Sequence, residues 1–214
     1  MIVLGIDTAG PVIGAALAGG DEPRAWSERV TRGADARLAP AVASLIDGVA
    51  LDAVAVSVGP GSFTSLRVGV ATALGVALSR GVPVVAVSSL EVRAIAAGES
   101  DEPVLALLDA RKGRAYAGVF PAGLPAREVD LPPAAAIAAL VSAPFLATGE
   151  GADVFREAVE AAGGRVHPAA SESPAATLAR LGVNRIETAV PAEAVRLNYI
   201  RPSDARLPGQ PPGK

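Results

Sequence analysis

At 214 residues the chain allows one large domain or two small ones. Half of its residues are hydrophobic but only 3 % are aromatic, so its core must be built from Ala, Val, Leu and Ile. A net charge of −3 argues against a strong independent grip on nucleic acid, and the lack of cysteine excludes disulfides, thiolate zinc sites and a cysteine nucleophile.

The opening run Met1–Asp7 reads as a strand with no basic leader, so no signal peptide is expected. It ends in the turn signal Asp7-Thr8-Ala9-Gly10-Pro11. Val12–Leu17 and Glu22–Val30 read as two more strands, which makes an antiparallel meander. From Asp35 to Ile46, Leu38, Val42, Leu45 and Ile46 recur at a helical period. Ala53–Val58 is a buried strand that runs into Gly59-Pro60-Gly61-Ser62-Phe63-Thr64. A helix follows over Thr64–Ser79, capped by Ser62 or Thr64. Val82–Val87 is a strand, and Ser88-Ser89 starts a short helix that runs to Ala97. The longest apolar run is interrupted by Arg67, Arg80 and Gly81, so no membrane span is expected and a soluble cytoplasmic protein is the reading.

Gly98–Glu102 marks a boundary, which assigns residues 1–98 to a first lobe and 99–200 to a second, smaller one. The second half reads as strands Val104–Leu108, Ala115–Phe120 and Arg127–Val129, helix Pro132–Val141, strand Phe145–Thr148 and helix Ala152–Ala162. Residues 201–214 are rich in Pro and Gly and are expected to be an unstructured tail. A three-strand meander followed by αβα units is the layout of the actin-like ATPase fold, an α/β architecture of two lobes, here with the second reduced.

Four features carry chemistry. The Gly59–Thr64 turn suits a phosphate cradle, because glycine lets the backbone approach and N–H groups at a helix start complement an anion. It also reads as a plain strand-to-helix turn, since the lysine of a P-loop is missing. Asp7 stands where actin-like ATPases hold a magnesium-bound water, yet Ala9 replaces the glycine that opens their phosphate hairpin. Asp7 could therefore simply cap its own turn. Together Asp7, Gly59, Gly61, Ser62 and Thr64 form a candidate vestigial nucleotide or phosphate site, and an ATPase or ATP-dependent phosphotransferase of this fold is the alternative function. Arg111, Lys112 and Arg114 form a basic cluster that suits either an RNA phosphate, an acidic partner or a solvated turn. Finally, the long helix carries small residues on two faces, which permits close approach of a partner helix.

Gly59 to Gly69, the opening Gly5 to Ala9, Asp109-Ala110-Arg111 with Tyr116, and Tyr199-Ile200-Arg201 together resemble the TsaB (YeaZ) family across nearly the whole chain. That bacterial family belongs to the machinery that makes threonylcarbamoyladenosine at adenosine 37 of tRNA. The resemblance implies a non-catalytic accessory subunit that pairs with the catalytic paralogue TsaD and with the ATPase TsaE, reaches tRNA through the complex, and forms a homodimer without TsaD. It implies no cofactor of its own and leaves open a nucleotide at a subunit interface. In the paralogue two histidines four residues apart hold a metal. Ser89 and Arg93 stand at those positions here, and the lone histidine is His167, so no metal site is expected. The expected partner interface is Leu66, Val70, Ala71, Ala73, Leu74, Gly75 and Ala77 on the long helix, with Arg67 and Arg37 as its polar rim.

Overall fold

The computed structural model describes residues 1–20, 24–30, 33–121, 126–168 and 173–201. Three short-looped strands, β1 (Val3–Asp7), β2 (Val12–Ala18) and β3 (Arg24–Arg29), form the expected meander. The turn over residues 8–11 between β1 and β2 sets Asp7 opposite Gly14. After α1 (Ala34–Leu45), strand β4 (Ala53–Ser57) pairs parallel to β1. The connection through α2 (Phe63–Arg80) then brings β5 (Val84–Val87) parallel to β4. The sheet order is β3-β2-β1-β4-β5.

The second half repeats this order. Strands β6 (Val104–Asp109), β7 (Ala115–Val119) and β8 (Arg127–Leu131) are an antiparallel meander, and β9 (Phe145–Thr148) and β10 (Gly164–Val166) add in parallel on the far side of β6. Read from the meander edge the order is β8-β7-β6-β9-β10, the pattern of the first sheet. The α/β, two-lobed actin-like architecture is thus a duplicated unit. The reduction of the second half lies in its helices. Helix α4 (Pro133–Leu140), α5 (Glu150–Val154) and α6 (Arg156–Ala161) have 8, 5 and 6 residues, against 12 and 18 in α1 and α2.

Helix ends follow local chemistry. Gly81 ends α2 in the left-handed region (φ 66°), with its N–H on the carbonyls of Ala77 and Leu78. Ser88 caps α3 (Ser89–Ala96) by accepting from the N–H groups of Leu90 and Glu91. Ser62 occupies the N-cap position of α2, but its side chain makes no cap bond and its hydroxyl turns to Ser65.

Helices α1 and α2 cover one face of the first sheet, burying Leu4, Ile6, Val54 and Val56 against Leu38, Val42, Val70 and Ala73. The opposite face is covered by α7 (Ala175–Asn184), whose Leu178 and Leu181 pack on Val3, Ala53 and Ala55. Assigning all of 99–200 to the second half is therefore corrected: α7 returns to the first sheet, and Val190 bridges back to Val84. Helix α3, placed by sequence wholly in the first lobe, stands between the lobes, with Leu90 and Ala94 packed against Ala106 and Leu108 of the second sheet. Arg201, placed at the start of the unstructured tail, is bound to the second lobe as described below, while residues 202–214 lie outside the described residues.

The seat of α7 depends on the lack of a side chain at Gly5. A Cβ there would stand 2.6 Å from the backbone nitrogen of Ala179 and 2.7 Å from the carbonyl oxygen of Ala175. Neither atom can rotate away. Gly5→Ala is expected to cost about 1–3 kcal/mol through overpacking, read as a lower urea midpoint. An unchanged midpoint would show that α7 yields freely.

Candidate functional site: the floor and mouth of the inter-lobe cleft

The end of β1 carries a carboxylate into the interior. Asp7 is fully buried, and its partner is not its own turn but Arg93 on α3. Arg93 donates from Nη1 and Nη2 to the two oxygens of Asp7, both at 3.1 Å. It also donates from Nε and Nη2 to Glu150, at 2.7 and 2.9 Å. Its remaining Nη1 proton goes to the Ser89 carbonyl at 2.9 Å. All five guanidinium donors are thereby engaged. Ser57 at the end of β4 adds a 2.5 Å hydrogen bond to Asp7. Burial works against the charge of Arg93, but attraction to Asp7 and Glu150 outweighs it and holds the guanidinium above its ordinary pKa.

This arrangement replaces both expected roles of Asp7. The carboxylate holds neither a turn nor an open position for a hydrated cation; a fixed cation already fills its front. Glu150 was not singled out in the sequence. The signal was available in Gly149-Glu150-Gly151, a glycine-bracketed turn after β9 that corresponds topologically to Gly59–Ser62 after β4.

The Gly59–Thr64 turn is closed by its surroundings. Gly59 has φ 113°, and its N–H donates to Ser89 Oγ at 3.0 Å. A Cβ on Gly59 would stand 2.5 Å from the Asn198 carbonyl oxygen, and one on Gly61 2.6 Å from that of Ala9. The Ser62 N–H donates to the Ala9 carbonyl at 2.9 Å. The glycines thus let neighbouring backbone approach, and two N–H groups that a phosphate cradle would use already serve protein acceptors. Thr64 is exposed on the first turn of α2.

Above this floor lies a cleft of about 780 Å³, lined by the Ala9–Pro11 hairpin, Pro60–Phe63, the β6–β7 turn and Tyr199–Arg201. The segment from Asn198 to Arg201 straps across it. Asn198 donates its N–H to Val58 and its side-chain amide to Glu128 on β8, which also accepts from Ser88. Tyr199 accepts from Arg67 Nε on α2 at 3.2 Å. Arg201 donates to Asp130 at 2.6 and 2.8 Å and to the Ala110 carbonyl at 3.0 Å. Of the basic cluster, Arg114 turns to Asp130 at 2.8 Å, while Arg111 and Lys112 stand at the mouth of the cleft.

Partial burial pushes the Asp130 carboxyl up, but hydrogen bonds and charge from Arg201 and Arg114 outweigh this and hold it below 3.8. Its folded pKa is depressed, so its contribution to stability is complete above the ordinary carboxyl value and is lost as pH falls from there through the folded pKa. Asp130→Asn is expected to cost about 1–2 kcal/mol at pH 7. The gap from the parent should narrow below pH ~4, followed by urea unfolding across pH. A gap independent of pH would show that the carboxylate charge contributes nothing.

The outer face of α2 differs from the face expected. Val70, Ala73 and Ala77 are buried in the first lobe and Leu66 in the cluster between the lobes, so all four are corrected from interface to core. Small residues on both faces had hidden which side meets the sheet. Arg67, Ala71, Gly75 and Leu78 form the exposed stripe, with Leu74 half-buried beside it. Leu78 is 68 % exposed, and a Cβ on Gly75 would meet nothing within 4 Å. Arg37 is exposed on α1 and pairs with Glu28 at 3.3 Å.

Among the described residues no group of three or more His, Asp or Glu side chains could hold a metal ion, and no helix is long and apolar enough to cross a membrane.

A family model described as TsaD, tRNA N6-adenosine threonylcarbamoyltransferase, matches residues 23–123. The Bacillus subtilis tRNA threonylcarbamoyladenosine biosynthesis protein TsaB is 35 % identical over 128 residues, 56 % of this chain and 55 % of that protein. The Escherichia coli protein of the same name is 36 % identical over 123 residues, covering 54 % and 53 %. The chain thus spans about half the length of these curated relatives. An uncharacterized Mycobacterium tuberculosis protein is 37 % identical over 152 residues, 64 % of this chain and 71 % of that one. Among solved structures, YeaZ from Pseudomonas aeruginosa superposes with a TM-score of 0.74 at 28 % identity, covering 92 % of this chain and 99 % of that one.

Proposed function

This chain belongs to the TsaB/YeaZ family, and on that premise we propose that it serves threonylcarbamoyladenosine biosynthesis as a non-catalytic accessory subunit. It binds the catalytic paralogue TsaD, acts together with TsaE, and enables transfer of the threonylcarbamoyl group to adenosine 37 on the partner. The donor, threonylcarbamoyl-adenylate, is made by another enzyme. The observation that carries this reading is the Asp7–Arg93–Glu150 triad. At the floor of the cleft, where an actin-like ATPase needs a free carboxylate, an internal guanidinium consumes both carboxylates. The closed Gly59–Ser62 turn supports the same conclusion. Docking is assigned to the Ala71, Gly75 and Leu78 part of the exposed α2 stripe, where small residues allow a second helix to approach closely.

The test is product formed on unmodified tRNA by TsaD, TsaE and preformed threonylcarbamoyl-adenylate, with and without this chain. Strict dependence, with no product from the chain alone, is the expected result. Equal product without it would sink the accessory role. The alternative, an ATPase or phosphotransferase, requires saturable magnesium-dependent ATP binding by the lone chain. None is expected by calorimetry, and micromolar affinity would favour that alternative.

A further inference from the structure

The chain has only seven aromatic residues, four Phe, two Tyr and one Trp, and two of them stand side by side at the mouth of the cleft. Phe63 and Tyr199 are 41 % and 44 % exposed, with ring centroids 5.4 Å apart. The Arg67 guanidinium lies 3.6 Å over the Phe63 ring and also donates to Tyr199. The result is a platform of two rings, tilted by 34°, and a cation, with both rings partly open to solvent.

Across the cleft, the β6–β7 turn presents Arg111 and Lys112. Both have left-handed backbones, φ 61° and 53°, a conformation that Asn or Gly adopts at lower cost. The turn is held by its own hydrogen bonds, Arg111 N–H to Asp109 Oδ1 at 2.8 Å and Arg114 N–H to the Arg111 carbonyl at 3.1 Å, while the Arg111 side chain is 82 % exposed and pairs with Asp109 at 3.3 Å. The turn sets both basic side chains at this mouth. Arg29, exposed at the end of β3, lines the same opening and makes no ion pair among the described contacts.

We propose that this mouth binds one unstacked nucleotide of an RNA strand, with its base on the Phe63–Tyr199 platform and its flanking phosphates toward Arg111 and Arg29. The inference rests on the accessory reading above and adds to it a direct RNA contact by this chain. Aromatic stacking beside exposed cations is how single-stranded RNA is held without a deep pocket. A strand fits better than a free nucleotide because the basic groups sit on the outer rim, where a passing backbone reaches them. At the floor the Asp7 and Glu150 carboxylates are paired with Arg93, and the Gly59 and Ser62 N–H groups already serve protein acceptors. A net charge of −3 keeps the isolated contact weak, so it acts as the second arm of a complex already holding the RNA.

The test uses the full chain in the reconstituted complex with an unmodified tRNA transcript carrying 4-thiouridine, read by cross-linking and by KM and kcat for tRNA. Cross-links to this chain are expected. Arg111→Glu and Tyr199→Ala should each lower their yield and raise KM for tRNA roughly five- to tenfold, with kcat held. Tyr199→Phe, which keeps the ring, should restore the parent KM. Co-purification with TsaD should be unchanged in all three. Unchanged KM and cross-linking in both disruptive variants would overturn the proposal. So would competition by free AMP as effective as that by RNA, which would make the mouth a mononucleotide site. Cross-linking does not require turnover: product that forms without this chain while cross-links persist would sink the accessory reading and leave the RNA contact standing.

Discussion

Arg93→Met is expected to destabilise the protein by about 3–5 kcal/mol, the range for removing one partner of a buried ion pair. Arg93 is 2 % exposed and its two carboxylate partners 0 % and 3 %. Methionine fills much of the volume but returns none of the five hydrogen bonds, and it leaves two carboxylates facing each other without water. Their mutual repulsion then adds to their desolvation. Arg93→Lys is expected to recover only part of the loss, because a point charge cannot match two carboxylates with one planar fork. The three partners come from β1, α3 and the start of α5, so the triad ties both sheets through the helix between them. The check is urea unfolding of the parent and both variants. A loss below about 1 kcal/mol for Arg93→Met would mean that water reaches the triad on opening and that it does not tie the lobes. Replacing all three residues by well-packed apolar ones should restore much of the stability. That result would separate the penalty of an orphaned charge from the net value of the triad.

The first half of the fold was legible because strands such as β1 and β4 are nearly unbroken apolar runs between Gly, Pro and Asp turns, because α1 shows a helical period, and because α2 is long. The TsaB/YeaZ resemblance was legible from the Gly59–Gly69 block and the Tyr199–Arg201 motif. Helix α7 was not: AATLARLGVN does place Ala175, Leu178, Ala179 and Gly182 on one helical face, but it is only 10 residues long, and its role as backing for β1 depends on Gly5 and Gly182, where the missing side chains let the backbones approach. The triad escaped for a different reason. Asp7, Arg93 and Glu150 are separated by 86 and 57 positions, and nothing local to any of them signals a buried charge. In the sequence Arg93 stands out only as a residue unable to bind a metal; in the fold its positive charge neutralises the site. On α2, an alanine-rich sequence gives nearly equal apolar content to opposite faces, so its length and flanking glycines located the helix while no period set its orientation.

That corrected orientation makes the partner surface testable without unfolding the chain. Ala71→Arg and Gly75→Arg are expected to abolish both co-purification with TsaD and self-association, a loss on the order of 100-fold or more in affinity, equivalent to about 3 kcal/mol. Both sites face solvent in the single chain, and a Cβ at Gly75 meets nothing within 4 Å. Replacing a mid-helix glycine should even raise the stability of the isolated subunit, by up to about 1 kcal/mol. Between two closely packed helices the same guanidinium has no room and no partner, so it must either be buried unpaired or hold the helices apart. Ala73→Arg is the contrasting case. Ala73 is 0 % exposed and faces the sheet, so that variant is expected to fail to fold rather than fail to pair. Sedimentation and co-purification, with circular dichroism as the folding control, separate the two. Threonylcarbamoyladenosine formation should fall with pairing for Ala71→Arg and Gly75→Arg while the subunit keeps its native spectrum. If pairing survives both substitutions, the contact lies on another face, and the small residues of this stripe reflect only the alanine-rich habit of the chain.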